Sequence, residues 1–216
     1  MNQLYIIKID ASESITLAEA ENLLERKAIS HPIQVLNWLK FSYSPKVSFR
    51  IAHTGDEIWL KYYVMEEHVR ALETRINGGV YKDSCVEFFI SLDGKNYYNF
   101  EFNCIGIVHL AYGPGRSKRQ FVDTRLIEEI EIRSTLGNEP FDTRSGYFEW
   151  EMMIRIPIKC FVFSNIEDLR NVKGSANFYK CGDETTIPHY LSWNSIKTGN
   201  PDFHRLEYFG QLFFGC

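Results

Sequence analysis

From residue 46 onward the apolar positions recur mostly every second residue, whereas only one stretch before it repeats at helical spacing. "KVSFRIAH" (46–53) alternates Val47, Phe49 and Ile51, and "EIWLKYYV" (57–64) follows across Thr54-Gly55-Asp56, which predicts a hairpin. "SCVEFFISL" (84–92) and "YYNFEFNCIG" (97–106) flank Asp93-Gly94, which predicts a second hairpin, because Asp and Gly tolerate the backbone angles of tight turns. "GIVHLAYG" (106–113), "IEEIEIRSTL" (127–136), "GYFEWEMMIRIP" (146–157), "SANFYKCG" (175–182) and "EYFGQLFF" (207–214) read as further strands, and "LYIIKI" (4–9) as the first. About ten short strands separated by turn signals predict an all-β fold, an antiparallel β-sandwich of the jelly-roll kind. The one clear helix is "TLAEAENLLERKAIS" (16–30), with Leu17, Ala20, Leu23 and Leu24 on one face and Thr16 or Ser14 as N-cap. "IQVLNWLKF" (33–41) fits either period. No repeat, low-complexity segment or linker divides the chain, so residues 1–216 are expected to form one domain.

Successive side chains on a strand point to opposite faces. In the second hairpin one set is apolar: Val86, Phe88 and Ile90, with Tyr98, Phe100 and Phe102. The other set carries Glu87, Glu101 and Asn103, and the strand after residue 175 adds Asn177 and Tyr179 on one face. Such a surface is either an ordinary solvated face or a binding surface. Its side-chain types favour binding: Asn, Glu and Tyr dominate and Lys is scarce, and Asn and Glu can each span two neighbouring hydroxyls. Two aromatic residues flank it. Tyr81 precedes the strand of Glu87. Trp193 follows Pro188 in a stretch that stops alternating, where it either caps the core or offers a flat platform. Trp150 belongs to the alternating set Phe148, Trp150, Met152 and Ile154 and reads as core. His189 either orients the Trp193 loop or is satisfied by a backbone carbonyl.

Composition narrows the classes. A net charge of −4 argues against strong sequence-independent binding of nucleic acid, and "GRSKRQ" (115–120), which has no aromatic partner for a base, reads as a solvated loop. The 44% hydrophobic content excludes a disordered chain, and the 15% aromatic content suits both a β core and a ligand platform. The five cysteines form no CxxC pair and read as reduced thiols buried as small apolar groups. No signal peptide or membrane span is visible, so a cytoplasmic location is expected, or a secreted or periplasmic one if a leader was removed. No dense Asp loop of the EF-hand kind is present, and no cofactor and no metal are expected. Met65, Met152 and Met153, which could in principle ligate a haem, sit at packing positions.

The blocks "YKDSCVEFFISL", "YYNFEFNCIG" and "GSANFYKCGDETTIPHYLSWNSIKTGNPDFHRLEYFGQLFF" carry a resemblance. Over roughly residues 46–214 the chain resembles the carbohydrate-binding family-9-like proteins, relatives of sugar-binding modules attached to xylanases, within the DOMON-like β-sandwich group. The resemblance implies a sandwich that binds a mono- or oligosaccharide without cleaving it, beside glycan-degrading enzymes and with no nucleic acid partner. It gives Tyr81 the position of one sugar-clamping ring and Glu87 that of a hydrogen-bonding carboxylate. Trp193 is the candidate for the second ring. Glu101 falls where the xylanase-attached module has a basic residue, and some members of the group hold structural calcium. Tyr81 and Trp193 are therefore expected to stack on a sugar, with Glu87, Asn177, Asn103 and Glu101 bonding its hydroxyls. Two other readings stand beside it: a glycoside hydrolase using Glu87 and Glu101 as its carboxylate pair, and a structural sandwich that binds a protein partner. A Ser-His-Asp hydrolase lacks its GxSxG elbow.

Overall fold

Every alternating run of the sequence folds as a strand in the computed structural model, which describes residues 2–12 and 14–216. The strands are β1 (Gln3–Lys8), β2 (His31–Pro32), β3 (Val35–Leu36), β4 (Lys46–His53), β5 (Glu57–Ala71), β6 (Cys85–Ser91) and β7 (Tyr97–Asn103). They continue with β8 (Val108–Gly113), β9 (Gln120–Phe121), β10 (Glu131–Ser134), β11 (Phe141–Pro157), β12 (Lys173–Cys181), β13 (Tyr190–Ser192) and β14 (Gly210–Phe214). Helix α1 (Leu17–Lys27) starts at Thr16 with a capping box: the Thr16 hydroxyl accepts from the Glu19 amide, and the Thr16 amide donates to the Glu19 carboxylate at 2.9 Å. Ala20 and Leu24 bury the inner stripe of α1 against Ala52, Trp59 and Met153. A four-residue helix, α2 (Thr124–Ile127), follows β9. Among the described residues no helix is long and apolar enough to cross a membrane.

The main sheet runs β10-β11-β5-β4-β1-β14-β12-β6-β7-β8-β9. It is mixed, which corrects the purely antiparallel expectation: β1 pairs in parallel with β14 through residues 3–6 and with β4 through residues 7–8. Alternation marks a strand but not its direction. Parallel neighbours need a crossover longer than a hairpin turn, and between β1 and β4 that crossover contains α1. Shared between two halves, β1 lets the sheet curl into a half-barrel whose halves face each other across the core. Phe49 of β4 stacks on Phe178 of β12 with ring centroids 3.8 Å apart, and Phe88 stacks on Phe178 at 4.9 Å. The Tyr62 hydroxyl crosses the same gap and donates to the Glu87 carbonyl at 2.8 Å.

One charged group breaks the inward apolar set of β12. After Ala176 and Phe178 comes Lys180, fully buried, its Nζ 2.9 Å from Glu66 Oε2 and 2.8 Å from His189 Nε2. The Trp150 indole donates to the other Glu66 oxygen at 2.8 Å. Burial and then Lys180 push the His189 imidazole well below its ordinary range, so it stays neutral and Lys180 faces a single countercharge. A second layer of side chains covers the outer face of β12, β6 and β7. Trp38, Ile196, Phe203 and Phe209 come from loops and pack on Phe89, Tyr97 and Tyr179.

Removing one partner of a buried ion pair strands the other charge. Glu66→Gln should therefore destabilise the fold by about 3–5 kcal/mol, and adding Lys180→Met should restore much of the loss, both read from urea unfolding.

Candidate functional site

The outer loops do not cover the whole of that face. Where β12, β6, β7 and β8 run side by side they leave a cavity of about 480 Å³, a volume ordinary for a small-molecule site. The strand register builds its floor. Glu87 pairs directly with Glu101 and Glu101 with His109, while Cys181 pairs with Cys85 on the other side of β6. Glu87, Glu101, His109 and Cys181 all line the cavity.

Glu87 is almost fully buried and accepts a hydrogen bond from the Cys181 thiol at 3.0 Å. Burial, and then the neighbouring Glu101 carboxylate, push its carboxyl far above the ordinary carboxylate range. Glu101 accepts from the Asn99 side chain at 2.7 Å, and the same Asn99 accepts from the Arg119 guanidinium. Arg119 is held over the Tyr97 ring at 4.2 Å and donates to the carbonyls of Ala111 (2.9 Å) and Gly113 (3.0 Å). Elsewhere on the lining, burial raises Asp183 to about 6 and lowers His204 to about 3, and the Tyr97 hydroxyl meets His204 Nδ1 at 2.8 Å. The walls therefore offer carboxyl and carboxylate acceptors beside the Arg116 guanidinium, with Arg119 fixing the wall.

Tyr81, Glu87 and Glu101 from the sequence reading lie on this one cavity. Tyr81 occupies a single 3-10 turn (Val80–Lys82) and stays 41% exposed. The turn is tied down by Asp83, which accepts from the amides of Leu72 (3.1 Å) and Glu73 (2.9 Å) and pairs with Arg70.

Three other expectations are corrected. Trp193 is 7% exposed and lies on the core side of the sheet, edge-on to Phe178 at 5.7 Å and to Phe49 at 6.4 Å. The reason is register: Ser192 is the last residue of β13, paired with Tyr179, and the next side chain turns under the sheet rather than over it. Asn177 is fully buried and holds the loop after β13, donating to the Asn194 carbonyl at 3.0 Å and accepting the Asn194 amide at 2.8 Å. Asn103 is likewise buried, bonding Asp83 at 3.0 Å and the Glu73 carbonyl at 2.9 Å. Both amides sit on the expected face but are consumed by backbone and loop contacts. His189 takes its ordinary role at one nitrogen, with Nδ1 2.9 Å from the Ile187 carbonyl oxygen, and meets Lys180 at the other.

Sequence reasoning missed Arg116, Arg119, Phe121, Asp183 and the run Pro201–His204, all of which line the cavity. The first two come from "GRSKRQ", expected to be a solvated loop. An alternating pattern carries no signal for loops that fold back over a sheet. The one cue was local, in that "NPDFHR" holds an aromatic residue among turn formers.

The sequence matches the profile described as Carbohydrate-binding family 9 over residues 18–214. A protein from Bacteroides uniformis, solved as a candidate carbohydrate-binding protein, is 39% identical and superimposes with a TM-score of 0.94, over 98% of each chain. A family 9 carbohydrate-binding module from Caldicellulosiruptor kristjanssonii in complex with glucose shares the fold at 10% identity, with a TM-score of 0.64 over 100% of this chain and 97% of that one. The cellotriose complex of a family 9 module from the same organism gives 12% identity and a TM-score of 0.61, over 99% and 94%. No curated protein matches the sequence.

Trp193→Ala should behave as a core truncation and cost about 3–5 kcal/mol in chemical unfolding, rather than leave the fold intact. Asp183 supplies a pH test. Its folded pKa is raised from 3.8 to about 6, so the native state holds the proton more tightly and stability falls as pH rises through that window. Asp183→Asn should melt at the same temperature as the parent below pH 4 and above it at pH 7, with a gap of at most about 3 kcal/mol.

Proposed function

The chain belongs to carbohydrate-binding family 9, and from that premise we propose that it binds a mono- or oligosaccharide in the cavity between β8 and β12 without cleaving it. The observation that carries the reading is the pairing of exposed rings with buried hydrogen-bonding groups in one cavity. Tyr81 and Phe121, 41% and 56% exposed, both line it and offer flat apolar surface to the C–H face of a sugar ring. Glu87, kept protonated, can donate as well as accept. Glu101 and Asp202 accept from hydroxyls, and Arg116 donates to hydroxyl and ring oxygens. Phe121 thus takes the second stacking role that sequence reasoning gave to Trp193. The curled sheet is read as a DOMON-like variant of the β-sandwich. Polysaccharide utilisation beside glycan-degrading enzymes, with xylan among the polymers to try, is the setting such a binder fits.

A hydrolytic reading has one observation in its favour. Glu87 and Glu101 are direct cross-strand partners, their Cβ atoms about 4.5–5.5 Å apart by strand geometry, and one is protonated where a general acid would be needed.

Calorimetry against glucose, cello-oligosaccharides and xylo-oligosaccharides, with reducing-sugar release assayed on the same samples, separates the two. Binding should appear in the micromolar to millimolar range, about −8 to −4 kcal/mol, with no release. Tyr81→Ala should weaken binding by about fivefold or more while the melting temperature holds, since one ring contact is worth roughly 1 kcal/mol. Sugar release lost in Glu87→Gln would replace the binding reading with the hydrolytic one. No binding to any saccharide would overturn both.

A further inference from the structure

The floor of the cavity holds two thiols that sugar binding does not need, beside the Glu87 carboxyl that it uses. Cys85 and Cys181 are direct partners in the antiparallel β6–β12 ladder, so both thiols emerge on the cavity face side by side. Glu87 lies on the same face of β6, next in line after Cys85. Its Oε1 is 3.0 Å from the Cys181 sulfur and 3.9 Å from that of Cys85, and one donor atom from each of the three residues falls within 4.8 Å of the others. All three side chains are buried.

From this cluster we infer a binding site for a single soft divalent cation of the zinc type, with Cys85, Cys181 and Glu87 as ligands. A tetrahedral zinc ion with Zn–S near 2.3 Å and Zn–O near 2.1 Å sets its ligand atoms roughly 3.5–4 Å apart, so the side chains need only small shifts to close on it. Two sulfurs and one carboxylate select a soft or borderline ion and give calcium and magnesium little to bind. Three acidic groups share one buried place, and Glu101 and Asp183 add to the negative side of it. On binding, the ion takes the two thiolates and the carboxylate and their protons leave to solvent. Cys181 and Glu87 line the cavity while Cys85 lies behind them, so the fourth position opens into the cavity, toward water or a ligand oxygen. Sequence reasoning looked for oxygen-rich loops and for CxxC spacing. This set is assembled across two strands far apart in the chain, and neither search reports it.

Cobalt and zinc titrations test the site independently of any sugar. The full chain, reduced with a phosphine and stripped with a chelator, is titrated with Co²⁺ by absorption and with Zn²⁺ against a chromogenic chelator. The expected result is one ion per chain, with a thiolate-to-cobalt charge-transfer band. Loss of a direct ligand should exceed the 10–100-fold penalty of losing an outer contact, so Cys181→Ser and Cys85→Ser should each weaken zinc by about 100-fold or more. Glu87→Gln should weaken it too, and Cys216→Ser, which removes the exposed thiol, should change nothing. If a cysteine variant fails to fold by circular dichroism, the cobalt spectrum of the unaltered chain decides alone. No stoichiometric binding, a cobalt complex without the sulfur band, or binding that survives Cys181→Ser would overturn the inference.

Discussion

The contact between Phe49 and Phe178 sets the geometry on which the site depends. Their rings meet where the two halves of the curled sheet close on each other, with Phe88 and Trp193 packed against the same pair. Once Phe178 points inward, the alternation of β12 leaves no freedom: Asn177, Tyr179 and Cys181 must point outward. The ladders with β6, β7 and β8 carry that alternation across to Glu87, Glu101 and His109. A one-residue slip of β12 would turn the cavity floor into core and the core into cavity floor.

That outward face is unusual in being buried. Loops from both ends of the sequence lie over it, and a polar group taken out of water there must find a partner. Asn103 and Asn177 find theirs in backbone groups and become anchors for the loops before β6 and after β13. Arg119 finds four carbonyls and an amide oxygen, which turns a side chain from a polar loop into a fixed brace of the wall. Glu87 finds only the thiols of Cys181 and Cys85 and stays protonated. The residues left with spare bonding capacity at the cavity are thus the ones the loop anchors did not consume.

Lys180 shows the same rule on the inner side. A lysine in the inward set of a strand contradicts the apolar pattern, and it is accommodated by bringing Glu66 from the opposite half to meet it. The pair thereby ties β12 to β5 across the core, close to the end of β12 that carries Cys181. Cys85, Cys181 and Glu87 stand on the other face at that strand end, so acidic groups are held in two ways, as an ion pair on the inner face and as protonated groups bonded to one another on the outer.

Sequence alone determined the strands and the helix. Alternation every second residue is a property of the strand itself, and a capping box of the helix itself, so both are written locally at Val86–Ile90 or Thr16–Glu19. It also determined which side chains share a face, and with that the outward placement of Glu87 and Glu101, as well as Tyr81 beside them. Only the tertiary structure decided the parallel pairing of β1, because partner direction is set by the crossover and not by the strand. It alone decided the fate of Trp193, Asn103 and Asn177. Whether an outward polar residue meets solvent, a ligand or a folded-back loop depends on segments distant in the chain, such as residues 193–209, whose positions no local period encodes. The meeting of Cys85 with Cys181 belongs to the same class, since it follows from ladder register, which exists only after the sheet has assembled.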